Sequence, residues 1–109
     1  MDTDRLAQFQ ELVALEPHDT VVRFGLGELY FQAQEFAKAA KQFAEIIRLD
    51  PQYSAAYRYL GQSYAALGQR AEADKTFERG IDIAEARGDL QTVKEMRVFQ
   101  RRLHKGDEG

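Results

Sequence analysis

The sequence predicts an all-α protein, a solenoid of antiparallel helix hairpins, and three observations carry that prediction. The first is a tandem match at one constant offset. Leu26, Gly27, Tyr30, Ala37, Ala39, Lys41, Phe43 and Ile47 recur in the same order and spacing as Leu60, Gly61, Tyr64, Ala71, Ala73, Lys75, Phe77 and Ile81, and Pro17 recurs as Pro51. A period of about 34 residues belongs to a helix–turn–helix unit stacked on copies of itself. The second is that apolar residues recur at 3–4 spacing in every segment, while none alternates with period 2 long enough to form a strand. The third is the placing of the breaks. The two prolines, Pro17 and Pro51, each precede a new amphipathic segment, and Gly68 and Gly88 mark two more interruptions.

These breaks divide the chain into six helices. The first spans about Asp4–Leu15, with Leu6, Phe9, Leu12 and Val13 on one face. The second spans about Thr20–Ala33, with Asp19 placed to cap its N-terminus. The third, about Glu35–Leu49, carries Phe36, Ala39, Ala40, Phe43, Ile46 and Ile47, and the fourth spans about Ser54–Leu67. The fifth, about Arg70–Arg87, carries Ala73, Phe77, Ile81 and Ala84. The sixth, about Asp89–Lys105, carries Leu90, Val93, Met96, Phe99 and Leu103. The closing residues 106–109 are expected to fray.

The repeated residues resemble the tetratricopeptide repeat (TPR). In a first unit, 20–53, the family's Leu-Gly pair is Leu26-Gly27, followed by Tyr30, Ala39, Phe43 and a closing Pro51. In a second, 54–87, Tyr57 fills the aromatic slot, followed by Leu60, Gly61, Tyr64, Ala73 and Phe77. The resemblance implies a right-handed solenoid in which Gly27 and Gly61 let the helices of a hairpin approach Ala39 and Ala73. Tyr30 with Phe43, and Tyr64 with Phe77, would fill the space between hairpins. Phe9, Val13, Leu15 and Pro17 lie one full repeat before Phe43, Ile47, Leu49 and Pro51, so segment 1–19 reads as half a repeat. Segment 88–105 begins a third unit in which Lys94-Glu95 replaces Leu-Gly, and it reads as a polar-faced cap. Three slots depart from the pattern. Arg23 stands where the family prefers Trp, Gly80 where Ala is customary, and Glu85 where a Pro would close the second unit. Gly80 is expected to cost about 1 kcal/mol relative to Ala, and Glu85 lets the fifth helix run longer.

Composition narrows the function. The 109 residues suit one domain of modest core, and the chain begins at Met1 without a tag, reading as a complete small protein. A formal net charge of −3 is too mild to argue for nucleic acid. The absence of cysteine rules out disulfides and thiolate chemistry. The acidic, amphipathic start is no secretory signal, and no apolar run reaches the roughly 20 residues a bilayer demands. A cytoplasmic protein with no membrane association is expected. Gly25-Leu26-Gly27 lies inside a helix with no preceding strand and no Lys-Ser/Thr, so it reads as a close approach by a neighbouring backbone and not as a phosphate loop. His18 and His104 stand near opposite ends, and no nucleophile–base set is available. The chain is therefore expected to be no enzyme and to need no cofactor or metal. Arg97, Arg101, Arg102, His104 and Lys105 complement a helix C-terminus, without interleaved aromatics for nucleic acid.

The expected role is binding. Around the second helix, Val21, Phe24, Glu28 and Phe31 fall opposite the repeat's packing residues, with Gln32 beside them. The fourth helix offers Ala55, Arg58, Tyr59, Gln62, Ala65 and Ala66. The resemblance implies that these line a concave groove, apolar at Val21, Phe24 and Phe31 and polar at Arg58, Tyr59 and Gln62, that holds a peptide or helix of another protein. The alternative is homo-oligomerisation through that face or the solenoid ends. A TPR subclass grips the C-terminal carboxylates of chaperones with Lys, Asn and Arg. Its five slots hold Phe24, Glu28, Tyr59, Asp89 and Val93 here, so that ligand is not expected.

Overall fold

The computed structural model describes residues 3–108 and consists of six helices. These are α1 (Thr3–Leu15), α2 (Thr20–Gln32), α3 (Phe36–Leu49), α4 (Ser54–Ala66), α5 (Arg70–Arg87) and α6 (Leu90–Glu108). Each packs on the next in sequence. In addition α2 meets α4 and α4 meets α6, so the first helices of successive hairpins form one layer of the stack. The molecule measures 42 × 31 × 19 Å.

Local chemistry explains the helix ends. The Asp19 carboxylate accepts hydrogen bonds from the backbone N–H of Val21 and Val22, at 3.0 and 3.2 Å, and so caps α2 as expected. The turns after α4 and α5 need a left-handed residue, which Gly68 (φ 78°) and Gly88 (φ 74°) supply without steric cost. One repeat before Gly68 the same conformation falls on Gln34, at φ 62°. With no proline at position 85, α5 runs on to Arg87 and has 18 residues against 14 in α3. At the C-terminus the backbone stays helical through Glu108, past the expected end at Lys105, because Gly106 weakens a helix without breaking it as Pro would. Gly109 lies outside the described residues.

Two clusters form the core. Leu26, Tyr30, Ala39, Ala40, Phe43, Ile46, Ala56 and Leu60 make the first, and Tyr57, Ala73, Phe77, Ile81, Ala84, Val93 and Met96 the second. The glycines admit rings. A Cβ on Gly27 would lie 2.7 Å from Phe43, one on Gly61 2.3 Å from Phe77, and one on Gly25 2.3 Å from Phe9. The close approach at Gly25 is thus made by an aromatic side chain of α1 and not by a backbone. Gly80 also departs from expectation, since a Cβ there would lie 2.5 Å from the Tyr57 Cβ and 2.7 Å from the Met96 Sδ. Alanine has no room at this site. Arg23 takes over the work of the aromatic slot it occupies. Its Nε donates to the Pro17 carbonyl at 3.0 Å, as the Tyr57 hydroxyl, at the same slot of the next repeat, donates to the Pro51 carbonyl at 2.7 Å.

The end helices depart from the predicted faces. Leu6, Phe9 and Val13 pack on the first cluster, but Leu12 is exposed, because α1 has a neighbour on one side only. Likewise Val93 and Met96 of α6 are buried while Leu90 is 62% exposed.

Candidate functional site

The candidate site is the face made by α2, α4 and α6. Its first part is an aromatic cluster. Phe24 of α2 stacks on Tyr53 (centroids 5.3 Å apart) and meets Phe43 and Tyr59 edge-on, each at 5.4 Å. Tyr59 of α4 stacks flat on Phe43 at 4.9 Å and meets Phe31 edge-on at 5.2 Å. The Tyr59 hydroxyl donates to the Glu28 carboxylate at 3.0 Å. Burial, and next the hydrogen bond to Glu28 and its charge, push this phenol above its usual pKa. The Arg58 guanidinium lies 4.4 Å from the Tyr59 ring centroid and 3.5 Å from the Glu95 carboxylate of α6.

Of the expected apolar end, Phe24 and Phe31 thus both make ring contacts. Phe24 is half-buried between α2, α3 and α4, and Tyr59 is half-buried beside it. The cause is geometric: one turn of α2 and one of α4 face the same seam, and rings that meet there bury each other. Val21 is exposed at the start of α2, and Gln32 is exposed at its end. Ala55 lies apart, in a small cleft with Asp50, Tyr53 and Arg87.

An open hollow of about 370 Å³ lies towards the C-terminal ends of the three helices. It brings together Phe31, Gln62, Ala65 and Ala66 of the expected set. It also uses Phe36, Phe77, Phe99 and Leu103 as apolar walls, with Arg70 and Arg102 among its lining. Arg102 stands over the Phe99 ring, 5.7 Å from its centroid. Inside the wall, the Gln62 Oε1 is buried without a hydrogen-bond partner. The contribution of α6 was missed from sequence, although a signal existed. Phe31, Ala65 and Phe99 follow one another at the repeat period and so occupy one repeat position on the three helices.

The five slots of the carboxylate-gripping subclass are all committed to structure. Phe24 and Tyr59 belong to the ring cluster, Glu28 accepts from Tyr59, and Val93 is buried. Asp89 accepts from the Thr92 N–H at 3.3 Å and the Ser54 hydroxyl at 2.8 Å. The Thr92 side chain first, then the Ser54 hydroxyl and more weakly the Thr92 N–H, hold its pKa below the usual carboxylate value. Among the described residues no cluster of His, Cys, Asp and Glu is arranged to hold a metal ion, and no helix is long and apolar enough to cross a membrane.

Two family models match the chain: tetratricopeptide repeat over residues 32–96, and YpiA-like tetratricopeptide repeats over residues 6–50. The chain belongs to the tetratricopeptide repeat family. Neither match is to a catalytic domain. This TPR chain is 34% identical to protein BPP2914 from Bordetella parapertussis, known from a solution structure, with 94% of this chain and 89% of that one covered and a TM-score of 0.82. The TPR2B domain of yeast Sti1, in complex with pHsp70, superposes with a TM-score of 0.86 at 15% identity, covering 93% and 81% of the two chains. The first TPR of Spaghetti (RPAP3), bound to an HSP90 peptide, gives 0.83 at 20% identity, covering 95% and 78%. The last two show the shared fold. A comparison with curated proteins finds no match.

Proposed function

We propose that this TPR domain is a non-catalytic binding module that holds a peptide or helix of another protein in its concave α2–α4–α6 groove. The observation that carries the reading is the open hollow at Phe31, Gln62, Ala66 and Phe99: an apolar pocket on the layer where successive repeats present equivalent positions. The remaining groove positions, Val21, Phe24, Glu28, Gln32, Ala55, Arg58 and Tyr59, lie along α2 and α4, with Ala55 in its own cleft and Phe24 and Tyr59 chiefly holding the surface rigid. TPR neighbours solved with an HSP90 peptide and in complex with pHsp70 support the ligand class and not its identity. The chaperone carboxylate is disfavoured, because Glu28 and Asp89 put negative charge where that ligand's own would lie.

Ala66→Arg tests the assignment. Ala66 is exposed, so the new side chain fills the hollow without disturbing the core. Affinity capture from a lysate of the source organism, with wild type and variant side by side, should lose its specific partner in the variant while helicity is unchanged. Equal capture by both would remove the hollow from the binding surface. Self-association is the second reading, favoured by Leu12, Leu15 and Val21 exposed at the α1 end. Light scattering that shows a monomer at every concentration would exclude it.

A further inference from the structure

The side of α4 turned away from this hollow carries a second groove. Tyr57, Leu60 and Tyr64 form its floor, Ala44 and Ile47 of α3 one wall, and Lys75, Thr76 and Arg79 of α5 the other, around a volume of about 300 Å³. A further hollow of about 360 Å³ shares Ala44 and Tyr64 with it and adds Lys38 and Lys41 of α3. The two hollows adjoin at Ala44 and Tyr64, and together their linings hold four cations.

Lys38 lies over the Tyr30 ring and Arg79 over the Tyr57 ring, each 5.8 Å from the centroid. Among the described residues no carboxylate stands at ion-pair distance from Lys38, Lys41, Lys75 or Arg79. Three nearby acids are engaged elsewhere. Glu45 pairs with Arg48, Asp74 accepts from Gln100 and contacts His104, and Glu78 accepts from Gln100 on the α6 side of α5. Lys41 and Lys75 hold the same position in successive repeats, so the repeat itself sets these charges in register. A local positive face on a chain of net charge −3 attracts acidic ligands specifically, without a general affinity for polyanions.

We propose that this outer groove docks an acidic amphipathic helix of a partner protein. Its apolar side rests on Ala44, Ile47 and Tyr64, and its carboxylates pair with Lys41, Lys75 and Arg79. A helix laid into an apolar groove is a common mode of recognition, and charges at the rim set its orientation and speed its encounter. Nucleic acid and membrane surfaces fit less well. Four cations are fewer than the phosphate contacts of a typical nucleic-acid binder, and the apolar floor is recessed between α3 and α5, where a bilayer does not reach.

The test uses a synthetic helical peptide, blocked at both ends, with leucines at 3–4 spacing flanked by glutamates, and a counterpart with lysine for every glutamate. Amide NMR titration of the full chain with the acidic peptide should shift Ala44, Ile47, Tyr64, Lys75 and Thr76, and the lysine peptide should leave them unmoved. Lys41→Glu with Lys75→Glu, both on exposed positions, should retain native circular dichroism and weaken the acidic peptide about tenfold or more. Ala66→Arg, which blocks the concave hollow, should leave that affinity unchanged. The proposal is overturned if the acidic peptide does not bind, if both peptides bind alike, or if the shifts fall on Gln62, Ala66 and Phe99. It is equally overturned if the double variant binds as wild type does. Preference for phosphatidylserine vesicles or a single-stranded oligonucleotide would replace the partner, and a dimer abolished by the double variant would make the occupant a second copy.

Discussion

At position 80 a single absent methyl group lets α5 lie close to both α4 and α6. The site lies on α5 against the Tyr57 Cβ of α4 and the Met96 Sδ of α6. The sulfur ends a flexible side chain and can yield, but the Tyr57 Cβ is tied to its own helix backbone. From propensity alone Gly80→Ala should stabilise α5 by about 1 kcal/mol. The packing reverses the sign, with an expected loss of about 1–3 kcal/mol from overfilling. Urea denaturation decides between the two, read as a fall or a rise in midpoint at constant slope. Phe24 is a similar case. Its truncation would break three ring contacts, so it is a poor probe of binding and Ala66 a better one.

Between elements, Asp89 is the most informative joint. It caps α6 through the Thr92 N–H and ties that helix to the start of α4 through the Ser54 hydroxyl. Asp89→Ala should cost about 1–2 kcal/mol near neutral pH. The carboxylate's folded-state pKa is depressed by those bonds, whereas in the unfolded chain it returns to about 3.9. Its contribution is thus fully present above that unfolded value and is lost as the pH falls through the folded one. The stability gap between wild type and Asp89→Ala should narrow on acidification from pH 6 to about pH 3. Asp89→Asn keeps an acceptor and should retain most of the cap with less dependence on pH. A gap that is constant across this range would show that the carboxylate charge contributes nothing.

For the whole molecule, the two end helices are not equivalent. No described residue of α1 is buried, although Leu6, Phe9 and Val13 lie against the first cluster. In contrast α6 places Val93 and Met96 in the second cluster, over Phe77 and Ala84. Removing residues 1–16 should leave a cooperative thermal transition at lower temperature, each 1 kcal/mol lost being worth about 4–8 °C. Removing residues 89–109 strips the cover from the second cluster and should abolish the cooperative transition. Equal behaviour of the two truncations in thermal circular dichroism would contradict this asymmetry.

Residue spacing by itself determined the helix count, the turns and most of the core, because a repeat states its packing twice. Leu26 and Leu60, Phe43 and Phe77, and Ala39 and Ala73 are all buried at matching positions. The same spacing held a signal for Phe99, in register with Phe31 and Ala65. What the tertiary structure alone decided is which surface residues face a neighbour. Phe24 of α2 and Tyr59 of α4 belong to the same expected groove as Gln62 and Ala66, yet the first pair is spent on rings from three helices while the second borders open space. Helical period assigns a direction around one axis, but burial depends on how far the next helix stands and what fills the gap. For the same reason Gly80 changes from a weak helix former into a required space, and Lys41 and Lys75 from scattered surface charges into the linings of two adjoining hollows.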